Sequence, residues 1–166
     1  MATSKQKTSA ALLVYRYHPA DAPTATDRGE LQVLIAHMGG PFWARKDDAA
    51  WSIPKGEYEP PEEPLAAARR EFEEEMGSPA PEGPYLELGK TRLSSGKVIT
   101  TFAVEGDFDL DTFRSNLFEL EWPPRSGRMQ EFPELDRAAW LPLDLAATKL
   151  TKGQVPILQA LVAAVR

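Results

Sequence analysis

The 166-residue chain contains no cysteine. That absence excludes thiol nucleophiles, thiolate-ligated zinc and disulfide scaffolding, and it fits a reducing compartment. Histidine is scarce as well: His18 and His37 stand alone, and neither has the spacing of a metal-ligand pair. No apolar run approaches the roughly 18 residues of a membrane helix. A secretory signal is not expected either, because Arg16 cuts short the apolar run that follows Ser9, with no small-residue cleavage site behind it. The expected location is therefore cytoplasmic. Basic charge is in deficit, with 19 Lys and Arg against 25 Asp and Glu and a formal net charge of -6. Nucleic-acid binding, which draws on a basic surface to release counterions, is disfavoured. A small polyphosphate remains open to an acidic protein if divalent cations bridge the two negative partners.

What is present is ordinary for a folded domain: 42% hydrophobic and 27% charged residues. The length suits one domain over residues 9–166, preceded by a frayed tail over residues 1–8. Residues 10–17 and 31–38 are rich in Leu, Val, Ile and Tyr and read as strands. A loop with Pro19, Pro23 and Gly29 separates them. Gly39-Gly40-Pro41 breaks the second strand, residues 42–50 form a charged loop, and residues 51–53 form a short strand. Residues 85–93 and 97–104, joined by Ser94-Ser95-Gly96, form an antiparallel pair. A short helix is expected within residues 109–120, a loop over 122–128, a last strand over 138–141 and a terminal helix over 155–165. His37, at the end of a strand, reads as a structural residue, and Trp140 as core. The order predicts a mixed α/β (α+β) fold, a mixed sheet with helices packed on it.

Helical spacing is clearest over residues 64–76. Pro64 suits a first helical turn, where its missing N–H has no partner to lose. Gly77, Pro79 and Pro81 end the helix. Leu65, Ala68, Phe72 and Met76 make one apolar face. Glu71, Glu74 and Glu75 fall within an arc of about 100° beside that face. Like charges at this spacing destabilise a helix by roughly 0.2–0.5 kcal/mol per pair. A divalent cation is the natural counterweight, and hard oxygen donors suit magnesium or manganese. The plain alternative is a solvated acidic face with Arg69–Glu73 and Arg70–Glu74 as i,i+4 pairs.

The spacing decides between them. The stretch resembles the Nudix box, G-x5-E-x7-R-E-U-x-E-E-x-G-U with U a bulky aliphatic residue. Gly56, Glu62, Arg70, Glu71, Glu74, Glu75 and Gly77 match every fixed position. Phe72 stands at the first U, and Ser78 departs from the pattern at the last. From ordinary residue frequencies, such a match arises by chance on the order of 10⁻⁸ to 10⁻⁷ per start position.

The resemblance implies an α/β/α sandwich with a mixed central sheet and a metal-dependent enzyme. Its substrate is a nucleoside diphosphate linked to another group. By resemblance, Glu71, Glu74 and Glu75 are metal ligands, joined by the backbone carbonyl of Lys55. Arg70 braces the glutamates and pairs with Glu62, Gly56 allows a tight turn, and Gly77 ends the helix with positive φ. The general base is left open among Glu74 and Glu75 in the box and Glu131 and Glu134 in a later loop.

Trp51-Ser-Ile-Pro-Lys55-Gly56 resembles the approach to the box in the diadenosine-polyphosphate-hydrolase branch. From about residue 9 to 165 the chain resembles bacterial nucleoside-polyphosphate hydrolases of the family. Dinucleoside polyphosphates or nucleoside triphosphates are the favoured substrates, with Lys55 a candidate phosphate contact. Phe42 and Trp43, beside Arg45 and Lys46, are candidates to stack a base and contact phosphate, against a reading in which they pack on the sheet edge. Lys97 and Arg92 flank the hairpin turn, and nothing in the sequence decides whether they face substrate. A homodimer is left open. An isopentenyl diphosphate isomerase, which shares the fold, is set aside because it needs a cysteine. A catalytically silent nucleotide-binding module is the remaining rival.

Overall fold

A computed structural model describes residues 8–18 and 29–165. The tail expected over residues 1–8 lies outside them except for Thr8, as does most of the loop with Pro19 and Pro23. Strand β1 (Thr8–His18) and strand β2 (Glu30–Met38) run antiparallel from Tyr15↔Val33 to His18↔Glu30. Short strands β3 (Trp51–Ser52) and β4 (Lys55–Glu57) follow, and then helix α1 (Pro64–Met76). Strands β5 (Leu86–Arg92) and β6 (Val98–Glu105) form the expected antiparallel pair around Gly96, whose φ is 90°. β6 lies parallel to β1, so the sheet is mixed.

The second half departs from expectation. Only a single 3-10 turn, Leu110–Thr112, occupies the place of the helix expected over residues 109–120. It leads into a separate antiparallel hairpin, β7 (Leu117–Glu121) and β8 (Met129–Pro133). The alternation Leu117-Phe-Glu-Leu-Glu121 is a strand signal, and pairing with a later segment outweighs the weak local preference for helix. Strand β9 (Leu135–Pro142) is longer than the expected 138–141 and lines the free edge of β2. Helix α2 (Leu143–Lys149) has only seven residues, too few to show a period; α3 (Val155–Val165) ends the fold as expected.

The order across the main sheet is β3-β2-β1-β6-β5, with β4 beside β1 and β9 beside β2. Alternation along β1 splits the core in two. Ala10, Leu12 and Val14 face α1 and pack with Ala67, Ala68, Phe72 and Met76. Ala11, Leu13 and Tyr15 face the other way, toward Ala146 of α2 and Ile157, Leu158 and Leu161 of α3. Both faces of the sheet are covered, which explains why β1 reads as an unbroken apolar run. This is the α/β/α sandwich expected from the sequence. Phe72 is wholly buried and meets Phe108 edge-to-face at 5.8 Å. Burying such a side chain contributes about 1.5–3 kcal/mol, enough to fix which face of α1 turns outward.

β1 spends one edge on two partners. Residues 9–11 pair with β4 and residues 15–18 with β2. Between them Leu12 N–H donates to Pro54 O at 3.2 Å. This exchange of partners brings residues 52–57 beneath the outward face of α1.

Candidate active site

Packing sets the aim of α1. With Ala67, Ala68, Phe72 and Met76 held in the core, Glu71, Glu74 and Glu75 emerge together beside β4. Gly56 sits directly under Glu71. A Cβ added at Gly56 would lie 1.9 Å from the Glu71 carboxyl carbon and 2.1 and 2.3 Å from its oxygens. The sequence expectation of a tight turn is therefore corrected. Gly56 is a paired residue of β4, and it is glycine because a carboxylate occupies the space of its side chain.

Arg70 is the brace of the cluster. Its Nε and Nη2 donate to the two oxygens of Glu62 at 2.8 and 2.9 Å, a bidentate pair. Nη1 donates to Glu71 Oε1 at 2.9 Å and reaches both oxygens of Glu74 at 3.4 Å. Glu62 is thereby held below the usual carboxylate range. Arg70, hydrogen-bonded chiefly by Glu62, is held firmly protonated.

Glu71 and Glu75 are pushed the other way, primarily by burial. Glu71 rises above its ordinary value even though Arg70 pulls it down. Glu75, more deeply set, is raised to about 8, although its Oε2 accepts a hydrogen bond from Lys55 N–H at 3.1 Å. The Lys55 ammonium is lowered, first by its own burial and then by Lys97. Lys97 is in turn salt-bridged to Glu57 at 3.0 Å.

A small cleft joins these groups to the far end of the sheet. Met38, Ser52, Lys55, Glu75, Glu134 and Leu135 line it. Glu134 thus comes into the box from the β8–β9 junction. It is positioned by backbone: its N–H donates to Asn116 O and its carbonyl accepts from Gly39 N–H, both at 2.9 Å. Asn116 N–H in turn donates to Glu74 O at 3.0 Å, and Arg114 N–H to Met76 O at 3.0 Å. Two of the last carbonyls of α1, which have no partner within the helix, are thus satisfied by the segment that leads into β7.

These features match a known family over most of the chain, residues 17–161, described as the NUDIX domain. The chain belongs to the NUDIX family. Among solved structures, its fold is similar to the NUDIX domain of Shewanella oneidensis NrtR complexed with ADP ribose. That match has a TM-score of 0.66 at 14% identity, covering 99% of this chain and 91% of the other. It is also similar to a mutT/nudix family protein from Listeria innocua, with TM-score 0.63, 13% identity and coverage of 98% and 96%. A C. elegans Ap4A hydrolase in a binary complex gives TM-score 0.57, 17% identity and coverage of 95% and 96%. At these identities the likeness shows the fold. Comparison with curated proteins gives no match.

The geometry of this NUDIX site gives two groups of candidate residues distinct surroundings. Among the described residues, no three Asp, Glu or His side chains are already drawn together closely enough to hold a metal ion. Arg70 Nη1 stands between Glu71 and Glu74, and Glu75 is turned to Lys55 N–H, so the three carboxylates share a surface without a common focus. Trp43, weighed between stacking a base and packing on the sheet edge, is partly buried against the core cluster that includes α2 and α3 residues, with Lys46 Nζ 5.3 Å from its ring. Arg45, in the same turn, is exposed.

The two late-loop acids separate. Glu134 lines the cleft, whereas Glu131 is exposed on β8 opposite Glu119. Phe118 and Phe132 form the neighbouring pair, and Phe118 packs over Gly40. By strand alternation, Glu131 therefore projects from the hairpin face turned away from Gly40.

Sequence reasoning missed Gln154. Its buried side chain accepts from Ile53 N–H and donates to Ser52 Oγ, both at 2.9 Å, and so clamps the chain just before Lys55. It lies about a hundred residues away, and no local pattern could reveal it. His37 is a satisfied structural residue, as expected: it is wholly buried between Asp136 Oδ1 at 2.8 Å and Lys46 O at 2.6 Å.

Proposed function

We propose that this NUDIX protein hydrolyses a phosphoanhydride bond in a nucleoside diphosphate linked to another group. Dinucleoside polyphosphates and nucleoside triphosphates are the favoured substrates. The observation that carries the reading is the complete box folded as one device, with Arg70 bracing Glu62, Glu71 and Glu74, and with Glu75 meeting Lys55 and Glu134 in one cleft.

The donor set fits magnesium or manganese. Glu71 and Glu75 are carboxylates whose negative charge is penalised by burial, and hard oxygen donors of this kind favour such ions. Glu71, Glu74 and Glu75 would hold the metal, with the Lys55 carbonyl as a further donor. Once bound, it would neutralise charge on phosphate oxygens and lower the pKa of the attacking water. The protein's own groups do the rest. Lys55 offers a positive charge to a terminal phosphate and Arg45 a second on the exposed turn. A carboxylate takes the proton as water oxygen bonds to phosphorus and the bridging oxygen leaves on the other phosphate. Glu75 and Glu134 share the cleft where that proton is released, so they are favoured over Glu131.

The test is a magnesium-dependent panel of diadenosine polyphosphates, triphosphates, sugar nucleotides and dinucleotide cofactors, read as phosphate or pyrophosphate release. Glu74→Gln and Glu75→Gln are each expected to lower turnover by more than about tenfold. Unchanged turnover in both would refute the assignment of the glutamates. Inactivity across the panel with nucleotide binding retained would instead favour a silent binding module.

A further inference from the structure

Trp43 is committed to packing, yet the turn it belongs to carries a second aromatic ring that is not. Phe42 is 59% exposed. Its only ring partner among the described residues is Trp122, at the far end of β7, edge-to-face with centroids 5.4 Å apart and planes at 79°. The two rings come from segments 80 positions apart in the chain and form an open corner rather than part of either core cluster.

Short stretches of chain tie the corner to the lining of the cleft. Phe42 is four positions beyond Met38, which lines the cleft, and three beyond Gly39, whose N–H is bonded to Glu134 O. Three residues span at most about 10 Å, and residues 41–45 are a turn, so the true separation is less. On the other side, the hairpin that carries Trp122 is rooted at Asn116, which bonds both Glu74 O and Glu134 N–H. Phe118 locks the two sides together: a Cβ at Gly40 would lie 2.9 Å from the tip of its ring. Phe118 and Leu120 share one face of β7, which ends just before Trp122, while the acids Glu119 and Glu121 lie on the other. The hairpin face that meets Gly40 thus carries Phe118 and Phe132, and its reverse carries Glu119, Glu121 and Glu131.

We infer that the Phe42–Trp122 corner is the nucleobase subsite, stacking the base of a nucleotide whose phosphates reach down to Lys55 and the box glutamates. This rests on the functional reading above and deepens it. Two rings at right angles offer a base one π-face to stack on and one edge to abut. Stacking of this kind tolerates any base, because every base has a π-face. The β7–β8 hairpin then determines what is attached to the diphosphate, while the box determines which bond is cut.

The experiment separates base from phosphate. Phe42→Ala, Trp122→Ala and Trp122→Phe are compared with wild type on a dinucleoside polyphosphate and on 5-phosphoribosyl diphosphate, which has the diphosphate but no base. Both alanine variants are expected to raise KM for the nucleotide by about tenfold or more, with kcat within about twofold. KM for the base-free substrate should not move, and Trp122→Phe should restore most of the loss. Adenosine diphosphate binding, measured calorimetrically in the absence of turnover, should weaken by the same factor. That measurement stands even if no substrate is cleaved, so failure of the hydrolase reading and failure of the subsite are told apart. Unchanged nucleotide affinity in both alanine variants, or an equal rise in KM for the base-free substrate, overturns the inference. So does a change in oligomeric state with nucleotide affinity intact, which would make the corner a protein contact.

Discussion

Gly56→Ala tests the steric argument at the centre of the site with one methyl group. The added Cβ would be 1.9 Å from the Glu71 carboxyl carbon, whereas ordinary van der Waals contact begins at 3.4 Å. One group must retreat by about 1.5 Å. β4 is tied to β1 by three paired residues and to Glu75 through Lys55 N–H. Glu71, by contrast, is a side chain with rotatable bonds, held by Arg70. The carboxylate is therefore the part that moves. Alanine meets no backbone strain there, since Gly56 has no positive φ, so the fold should survive. A misplacement of about 1 Å in a catalytic constellation can cost about a hundredfold, which sets the expected fall in kcat/KM. The assay is steady-state phosphate release at saturating magnesium, alongside thermal unfolding to confirm a native fold. Glu71→Gln should match the loss, and the double variant should be no worse than Glu71→Gln alone, because both remove the same group. If Gly56→Ala stays within about threefold of wild type, then Glu71 is not held where its position matters.

Two further outcomes follow from the charges around the site and away from it. Arg70→Lys keeps the positive charge but loses the fork that grips both oxygens of Glu62 while reaching Glu71. Turnover should fall by about 10- to 100-fold with weaker magnesium binding by calorimetry; wild-type values for both would show that charge alone suffices. Asp47, which accepts hydrogen bonds from Lys149 and Trp51, is held below the usual carboxylate range. Its stabilisation is present above the unfolded carboxyl pKa of about 3.9 and is lost as pH falls through the lower folded value. The thermal midpoint of Asp47→Asn should accordingly lie slightly below wild type near neutrality, and the two should converge in acid. A gap that is constant across that range would mean the carboxylate's charge contributes nothing.

The sequence disclosed those parts of the fold whose signal is local. β1, β2, α1 and the β5–β6 hairpin carry their own periodicity and breakers, and the structure places them close to where the pattern did. The family also was legible, because the box holds seven fixed positions within a span of 22 residues. What the chain concealed is what depends on distant partners. β7 and β8 are strands only because each pairs with the other, and α2 is too short to show a repeat. Of the two late-loop acids, only the structure could say which one reaches the cleft. The reason is parity: Glu131 and Glu134 lie on either side of the end of β8, and Glu134 is turned inward by bonds to Gly39 and Asn116. Trp43 and Phe42 were indistinguishable as neighbouring loop aromatics, yet one packs against the core and the other stays out.

The departure at Ser78 ties these threads together. A hydrophobic residue expected there would pin the chain after α1 to the core. Here Ser78 Oγ meets Thr112 Oγ1 at 3.2 Å, and the anchoring is done by backbone instead. Gly77, with φ 86°, closes the helix onto Glu73 O, and Arg114 and Asn116 donate to the carbonyls of Met76 and Glu74. A Cβ at Gly77 would come within 2.6 to 2.9 Å of Arg114, so the approach of residue 114 itself demands glycine. The same segment then bonds Glu134 and leads through β7 to Trp122. The end of the helix that carries Glu74 and Glu75, the acid that enters from outside the box and the start of the β7–β8 hairpin are linked by one run of backbone hydrogen bonds. Loss of a packed side chain after the helix is therefore compensated by an element that also holds Glu134 beside the cleft, which gives the β7–β8 hairpin a structural reason to exist independent of the base it is proposed to hold.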